Sequence, residues 1–362
     1  MPLRPVILDL TLIGQPLAWD LYTVSGVLVA RAGMQINNAD QLARLAARPL
    51  FRNADAGIGA TDLVDRLRFV MLEYPQALRS AGTRTLEPAI RDLARELITL
   101  ARMDHDACLG LIRLLPMRDQ AVRHSLLAAL VTLDLADLLE LPDTTLEAAA
   151  AAALTMNIAA IPLHAELSDG RLRFNPEIRT ELRHHPEHGR KLLEASGITD
   201  PVWLTAVHQH HENLDGSGYP LGLRGEAIDT PARIIRIADY YAAKISGRRY
   251  RPPKSSGYAI KQLFGSEHGR LDSHYLVQLP RLLGLYPPGT LVRLATREIA
   301  VVTRKEGSGE TAGHVMAFMD MRGHLLKAPV ERNTAQVNFA VIGITEAESN
   351  WPDIGWDACW GY

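Results

Sequence analysis

The sequence predicts a mainly α-helical protein with a small β-containing unit at each end. Between about residues 62 and 285, apolar residues recur with the period of an α-helix almost throughout. Before and after that region, short β-branched or aromatic runs alternate with glycine-containing turns. The composition of the 362 residues, 47% apolar and 22% charged, is that of an ordinary globular protein and excludes wholesale disorder.

Residues 1–56 form the predicted N-terminal β-containing unit. Leu17–Tyr22 and Val27–Arg31 are predicted as short strands, and the turn-rich link between them suits a hairpin. Asn38 or Asp40 is then expected to cap a helix that ends before the next proline.

The central region is divided by prediction into a helical linker or bundle, residues 57–115, and a larger helical domain, residues 116–286. The predicted helices are 62–81, 86–102, 104–114, 118–139, 144–160, 175–196, 200–213, 230–246, 255–264 and 272–284.

Residues 287–362 are predicted as a β-rich appendage with a tryptophan-containing tail. The predicted strands are Thr290–Leu294, Ile299–Arg304, Val315–Met321 and Val337–Ile344. We expect Trp351, Trp356 and Trp360 to pack back onto the body of the protein, and the alternative is an aromatic tail that binds a partner.

Several classes of protein are excluded or disfavoured. Cys108 and Cys359 are too few for a disulfide scaffold or a cysteine-ligated zinc module. The N-terminus lacks the features of a signal peptide, and the Ala-rich stretch Leu146–Leu163 carries polar residues, so we expect a buried helix rather than a membrane span. The net charge of −2 gives no reason to expect nucleic acid as a partner. A cytoplasmic protein is therefore expected.

Histidines are concentrated in one part of the sequence, because six of the 13 lie between positions 184 and 211. His210 and His211 are adjacent, so both reach one pocket only where a helix frays or borders a cavity. Imidazoles are good ligands for transition metals, and a carboxylate such as Glu212 would fix their tautomers. The glycines and proline of residues 215–220 then end the helix. The cluster favours a functional site over a structural pair of histidines.

This region resembles the signature of HD-GYP domains, bacterial phosphodiesterases that open cyclic di-GMP with two or three metal ions. The resemblance runs from about His124 to Arg251, and its strongest matches are His210-His211-Glu212, Asp215-Gly216 and Gly218-Tyr219-Pro220. It implies one metal position with ligands His185, His210 and His211, and another with ligands His124 and Asp239. Arg248 and Arg251 match a basic element of the family and are expected to bind phosphate, and the alternative is that they form ion pairs on the surface. The resemblance also implies contacts with partner proteins, including cyclic di-GMP synthases, through Asp215, Gly216, Gly218, Tyr219 and Pro220.

The chain departs from the family pattern at the positions that matter most for catalysis. Met156 and Asn157 stand where the family has its His-Asp pair, and Ala160 stands where it has lysine. A later aspartate is replaced by Ala242, and Gln120 stands where three-metal members carry glutamate. We therefore expect the catalytic groups to be lost at Met156, Asn157 and Ala160.

The lost aspartate bridges the two principal metal ions in the family, and an asparagine there keeps one oxygen but no charge. Two divalent ions bring four positive charges, and Asp239 is the carboxylate that remains in the implied ligand set. Uncompensated charge in a partly buried site costs several kcal/mol. A two-metal cluster is thus not expected, and the position of His124 and Asp239 is expected to be empty.

The three histidines of the other position are intact. Three imidazoles can hold one divalent transition metal, preferably zinc or nickel and less favourably iron. The alternative is a hydrogen-bonded polar pocket without any ion.

The main hypothesis is a catalytically degenerate HD-GYP protein that acts as a binding or scaffolding module in bacterial cyclic di-GMP signalling. Two alternatives stay open. One is an active cyclic di-GMP phosphodiesterase with an altered or single-metal site, and the other is a non-catalytic receptor for cyclic di-GMP. A homodimer is compatible with the main hypothesis and with both alternatives.

Overall fold

Two units make up the fold, residues 1–76 and residues 77–362. The computed structural model describes residues 3–6, 12–14, 16–17, 20–23, 27–46, 50–53, 63–117, 119–168, 171–246, 254–267, 269–305, 313–348, 351 and 354–362. The finer division of the chain at residues 56, 115 and 286 stays a prediction.

The N-terminal unit contains a four-stranded antiparallel sheet with the strand order β1-β4-β2-β3. Its elements are β1 (Leu3–Val6), β2 (Leu21–Tyr22), β3 (Leu28–Ala30), α1 (Ala39–Ala46), β4 (Leu50–Asn53) and α2 (Leu63–Arg79), which crosses the boundary between the units. The expected hairpin is confirmed as the β2–β3 pair, whereas β1 and β4 were not predicted. Asn38 is the residue that caps α1, because its side-chain oxygen accepts a hydrogen bond from the Gln41 amide at 2.9 Å.

The second unit is built around a bundle of helices, as the periodicity predicts. These helices are α3 (Leu86–Leu114), α4 (Gln120–Leu138), α5 (Asp143–Thr155), α6 (Ile161–Ser168), α7 (Pro176–Ala195), α8 (Pro201–Gln209), α9 (Thr230–Ile245), α10 (Ser256–Ser266), α11 (Ser273–Leu276) and α12 (Leu279–Leu283). Helix α4 packs against α5 and α9, while α8 packs against α5, α7 and α9. The two central helices, α4 and α5, are buried along most of their length, which explains their nearly uniform apolar sequences.

Several helix boundaries differ from prediction, and the predicted helix 272–284 is instead two short helices, α11 and α12. The break expected between residues 102 and 104 is present as a kink within α3 at Asp104, whose φ of −158° and ψ of 87° are not helical. Helix α5 ends at Thr155 rather than at residue 160, and a short 3₁₀ turn leads into α6, where Pro162 is tolerated in the first turn. Helix α8 ends at Gln209 rather than at residue 213, since the following residues turn into the loop described below.

The Ala-rich stretch is part of the core. Asp143–His164 is long and apolar enough to cross a membrane by length and composition alone, but 72% of its most apolar window is buried inside the protein. This stretch therefore serves as a core element, as expected.

A five-stranded antiparallel sheet forms the C-terminal part of the second unit. Its strands are β5 (Leu291–Leu294), β6 (Ile299–Arg304), β7 (His314–Met319), β8 (Leu325–Asn333) and β9 (Val341–Ile344), in the order β8-β7-β6-β5-β9. Strand β8 was not predicted, because it lies at an edge, its residues are mostly exposed, and Pro329 lies within it.

The tryptophans of the tail pack back onto the protein, as expected. Trp360 packs against Gly110 of α3 and donates a hydrogen bond from Nε1 to the Thr303 carbonyl at 3.0 Å. The rings of Trp351 and Trp356 both meet the Phe318 ring edge-on, with centroid distances of 5.7 and 5.2 Å. The tail thereby joins α3 to the C-terminal sheet.

Candidate metal centre

Packing of four helices brings the predicted ligands together. His124 lies on α4, His185 on α7 and Asp239 on α9, while His210 and His211 directly follow α8. These side chains come from positions as much as 115 residues apart in sequence. The bundle, rather than any local motif, creates the site.

Three imidazoles converge on one point. The potential ligand atoms of His185, His210 and His211 all lie within 4.8 Å of one another. The Nε2 atoms of His185 and His210 are 3.1 Å apart. His185 and His210 are buried, and His211 is partly exposed.

Backbone carbonyls determine the tautomers of two of these histidines. Nδ1 of His185 lies 2.5 Å from the Leu182 carbonyl, and Nδ1 of His210 lies 2.7 Å from the Val207 carbonyl. A carbonyl oxygen only accepts hydrogen bonds, so each Nδ1 carries the proton and donates it. In the neutral rings, Nε2 then carries a lone pair, and two lone pairs face each other across 3.1 Å. The expectation that Glu212 fixes these tautomers is wrong.

This arrangement fits one metal ion. Two imidazole nitrogens, each about 2.1 Å from one ion, lie roughly 3.0–3.4 Å apart in octahedral or tetrahedral geometry. The observed separation falls in that interval, and an ion between the rings would remove the repulsion between the lone pairs. Zinc, nickel and iron all accept imidazole ligands.

The protonation states of the three histidines also suit the binding of a metal ion. Burial lowers the pKa of His185 and lowers that of His210 to about 3. Burial also lowers the pKa of His211 well below its usual range, and the neighbouring His210 adds to this effect. The Asp239 carboxylate opposes these shifts without reversing them. All three rings are therefore neutral near pH 7, which is the form that binds metal.

The remaining two predicted ligands bind each other. Nε2 of His124 lies 2.9 Å from Oδ1 of Asp239, and both side chains are buried. Burial by itself would raise the pKa of Asp239, but the hydrogen bond and charge of His124 hold it well below its usual range. One oxygen of the Asp239 carboxylate is thus paired with His124.

The segment that carries the replaced family residues packs beside the centre. Thr155 at the end of α5 accepts a hydrogen bond from Nε1 of Trp203 in α8 at 2.7 Å. Met156 and Ala160 are buried, whereas Asn157 is partly exposed. The Met156 carbonyl lies against Gly189 of α7, where an added Cβ atom would be 3.9 Å away. A buried thioether and a neutral amide thus stand at positions 156 and 157, and neither side chain carries a charge.

Ala242, the other replaced position, is fully buried on α9. Its methyl group adds no ligand to the centre. Gln120 lies at the exposed start of α4, where its side-chain nitrogen is 3.5 Å from the Met117 carbonyl. Neither residue supplies the carboxylate that the family pattern has at its position.

The loop containing Gly218-Tyr219-Pro220 folds onto the histidines. The Tyr219 ring stacks on the His211 ring with a centroid distance of 4.7 Å, and the Tyr219 amide donates to the His211 carbonyl at 3.2 Å. On the same tyrosine, the Arg183 guanidinium lies 4.6 Å from the ring centroid. Burial raises the pKa of Tyr219 to about 12, so the phenol stays protonated. The loop is therefore one wall of the site.

Glu212 holds this loop in place. Its carboxylate accepts hydrogen bonds from the amides of the three residues after Pro220, at 2.6, 3.2 and 3.0 Å. Gly218 is required by close packing, because a Cβ atom there would overlap the backbone of Glu212 and Asn213. The peptide bond between Tyr219 and Pro220 is cis.

At the other end of the loop, Oδ1 of Asp215 accepts from the amide and the hydroxyl of Ser217 at 2.9 and 2.6 Å. Gly216 has a φ of +77°, a conformation that favours glycine. Asp215 and Gly216 therefore shape the turn.

Arg248 and Arg251, the predicted phosphate-binding residues, lie outside the described residues. Sequence reasoning missed Arg183 and the two carbonyls that orient the histidines. The carbonyls belong to residues three positions before each histidine, and their role depends on side-chain rotamers that no sequence pattern reveals.

Comparison with known proteins agrees with this fold. The family model of the HD domain matches residues 86–274, just over half of the chain. The chain therefore belongs to the HD domain family. A cyclic di-GMP phosphodiesterase from Pseudomonas aeruginosa is 28% identical over 331 residues, which are 88% of this chain and 71% of that relative. Within the family, this chain is an HD-GYP protein.

Two further similarities cover different shares of the proteins. A cyclic di-GMP phosphodiesterase response regulator from Xanthomonas campestris is 37% identical over 113 residues, 31% of this chain and 29% of that relative. A solved structure of an HDG"Y"P protein from Bdellovibrio bacteriovorus has a TM-score of 0.54 and 18% identity, and the match covers 76% of this chain and 98% of that one. This second similarity supports the fold alone.

Proposed function

We propose that this protein is a binding or scaffolding module of bacterial cyclic di-GMP signalling, with at most one metal ion in its centre and without phosphodiesterase activity. The names of the relatives in Pseudomonas and Xanthomonas support the ligand class. The observation that carries the proposal is the charge of the pocket. Asp239 is the carboxylate that acts on all three converging histidines, and it is already bonded to His124.

This balance of charge supports one metal ion over two. A single divalent ion faces three neutral imidazoles and one nearby carboxylate, whereas a second ion would double the positive charge with no added anion from positions 156 and 157. Partly buried, uncompensated charge costs several kcal/mol. A metal ion bound by His185, His210 and His211 would supply a Lewis acid, but the paired charge stabilisation of two-metal phosphodiester hydrolysis would be missing.

In this proposal, the chain's own residues build a rigid pocket. Tyr219 and Arg183 form one wall, and Glu212 fixes the loop that carries Tyr219. The half-buried loop then presents Leu221, which is 53% exposed, at its outer edge. Binding of a cyclic di-GMP synthase to that edge, and a cytoplasmic location, belong to the same proposal.

Metal content and turnover test the proposal together. We expect about one transition-metal ion or fewer per chain in protein purified without chelators, and its loss in His210→Ala. The matched control is His188→Ala, an exposed histidine on the same helix as His185. Cyclic di-GMP turnover is expected to be indistinguishable between the wild type and His211→Ala. Two ions per chain, with turnover that His211→Ala abolishes, would overturn the proposal.

A second variant tests the charge argument directly. Replacing Met156→His and Asn157→Asp together restores an imidazole and an anion, so uptake of a second ion is expected to rise. Met156→His alone is the matched control, because it adds the ligand without the charge. Equal uptake by the single and double variants would contradict the electrostatic reason.

The active phosphodiesterase is the second candidate, and the convergence of three imidazoles favours it. Measurable turnover with one ion per chain, lost in His211→Ala, would establish it. Calorimetric titration with cyclic di-GMP separates the receptor from a pure scaffold. Absence of binding heat at about 100 µM ligand would argue against the receptor.

A further inference from the structure

The C-terminal sheet gathers three arginines at one end. Strands β5 to β8 are sequential and antiparallel, so the β5–β6 and β7–β8 turns lie at the same end of the sheet. Arg297 lies in the first turn and Arg322 in the second, while Arg293 is near the end of β5. All three line one cavity of about 350 Å³.

The register of the strands places apolar side chains next to Arg293 in this cavity. Arg293 pairs directly with Ile299 on β6, and Ile299 pairs with Met319 on β7. Side chains at paired positions project from the same face of a sheet. The exposed guanidinium thus borders two buried apolar side chains, and Trp351 lines the cavity as well.

The three guanidinium groups have no protein partner within the described part of the chain. Two carboxylates also line the cavity, Asp320 and Glu348. Asp320 accepts hydrogen bonds from two backbone amides of its own turn, at 2.8 and 2.9 Å. These amides partly neutralise the charge of its carboxylate. Among the described residues that line the cavity, three cations therefore face two anions, a surplus of positive charge.

Other arginines of the same sheet are paired. Arg332 lies 2.6 Å from the Glu298 carboxylate, and Arg304 lies 2.5 Å from Asp104. Unpaired arginines are thus a property of this cavity rather than of the whole sheet.

Arg297 occupies a backbone conformation that costs free energy. Its φ is +66°, in the left-handed region where glycine or asparagine is usual. The hairpin turn imposes this conformation, because the Arg297 amide donates to the Leu294 carbonyl at 2.8 Å and the Leu294 amide donates to the Glu298 carbonyl at 3.0 Å. Here the side chain that replaces the usual glycine adds a third cation to the cavity.

We propose that this cavity binds a nucleotide, with its phosphate groups on Arg293, Arg297 and Arg322 and its base against Trp351. Guanidinium groups bind phosphate oxygens in bidentate fashion, and an indole ring offers a stacking surface. The volume lies at the lower end of the range for small-molecule sites, about 300–1,000 Å³, which suits a mononucleotide. The site is separate from the metal centre and does not depend on the function proposed above.

Calorimetric titration of the full-length chain with GDP tests this site. GDP is expected to bind, and Arg293→Ala and Arg297→Gly are each expected to weaken binding about tenfold or more. Arg297→Gly is informative because glycine suits the positive φ, so a loss of binding cannot be assigned to misfolding. Lys327→Ala is the matched control, since it removes an exposed cation of β8 that does not line the cavity.

Further probes distinguish the parts of the ligand. Guanosine, which lacks phosphate, is expected to bind about tenfold more weakly than GDP, and so is inorganic pyrophosphate, which lacks the base. His210→Ala is expected to leave GDP binding unchanged, which separates this site from the metal centre. No GDP binding at about 1 mM, or equal binding by Arg293→Ala and Lys327→Ala, would overturn the proposal. Pyrophosphate that binds as tightly as GDP would overturn the assignment to a nucleotide.

Discussion

A buried charge cluster beside the kink of α3 makes folding stability depend on pH. Nε2 of His105 lies 3.1 Å from Oδ1 of Asp134 on α4, and its Nδ1 lies 3.8 Å from Oδ1 of Asp106, as ion-pair contacts without hydrogen-bond geometry. Burial by itself would lower the pKa of His105, but these two carboxylates raise it to about 9. The His105 side chain is only 19% exposed, so solvent screens the cluster weakly.

The magnitude follows from the shift in pKa. An unfolded histidine titrates near pH 6.5, so a folded value of about 9 corresponds to about 3 kcal/mol of stability. A raised pKa means that this stability is fully present below about pH 6.5 and is lost as the pH rises through about 9. The pKa values of His185, His210 and His211 are lowered, so these groups change stability near and below pH 6.5, and they do so equally in the wild type and in a His105 variant.

The variant His105→Gln removes the titration while keeping a polar side chain of similar size. Urea unfolding followed by the helical circular dichroism signal gives the free energy of unfolding at about pH 6 and about pH 9.5. The wild type is expected to exceed His105→Gln by about 3 kcal/mol more at the lower pH than at the higher. His274→Gln, which changes an exposed histidine of α11, is the control and should follow the wild type. Parallel curves for the wild type and His105→Gln would refute the assignment of charge to His105.

Three further substitutions test other parts of the fold. Arg297→Gly is expected to raise the free energy of unfolding by about 1 kcal/mol, because glycine adopts positive φ without strain, and an unchanged melting temperature would contradict this. Trp203→Phe removes the hydrogen bond to Thr155 and is expected to cost about 1–2 kcal/mol in urea unfolding, whereas an unaltered midpoint would show that the bond contributes nothing. Gly218→Ala places a methyl group against the backbone of Glu212. We therefore expect the free energy of unfolding to fall by about 2 kcal/mol or more, together with lower metal retention. A fully stable, metal-loaded variant would argue against the close contact.

Much of the architecture could be predicted from local sequence signals. Apolar periodicity located the long helices within a few residues, and caps such as Asp119 and Asn175 hold their first turns in the structure. The prediction was wrong where a boundary depends on distant residues. Helix α5 stops at Thr155, whose hydroxyl is held by Trp203 from another helix. Edge strand β8 escaped prediction because it has no buried face that would impose an alternating pattern, and because it contains Pro329.

In the candidate site, too, some features could be predicted from the local sequence and others depend on the tertiary fold. The histidines were found because imidazoles are rare and were clustered, with a glycine-rich turn beside them. Their tautomers were assigned to the wrong partner, since Glu212 points its carboxylate at the amides after Pro220 instead. Arg183 escaped notice because an arginine on a helix usually faces solvent, and only the fold places it on the Tyr219 ring.

By itself, the amino-acid sequence determined the helical class, the clustering of histidines between positions 184 and 211, and the absence of a carboxylate at positions 156 and 157. These are properties of residue identity and of short-range periodicity, which act within a few turns of helix. Tertiary structure alone decided that Nε2 of His185 meets that of His210, that His124 is paired with Asp239, and that three arginines share a cavity. Such arrangements depend on how distant elements pack, and contacts of that kind leave no mark on the local sequence.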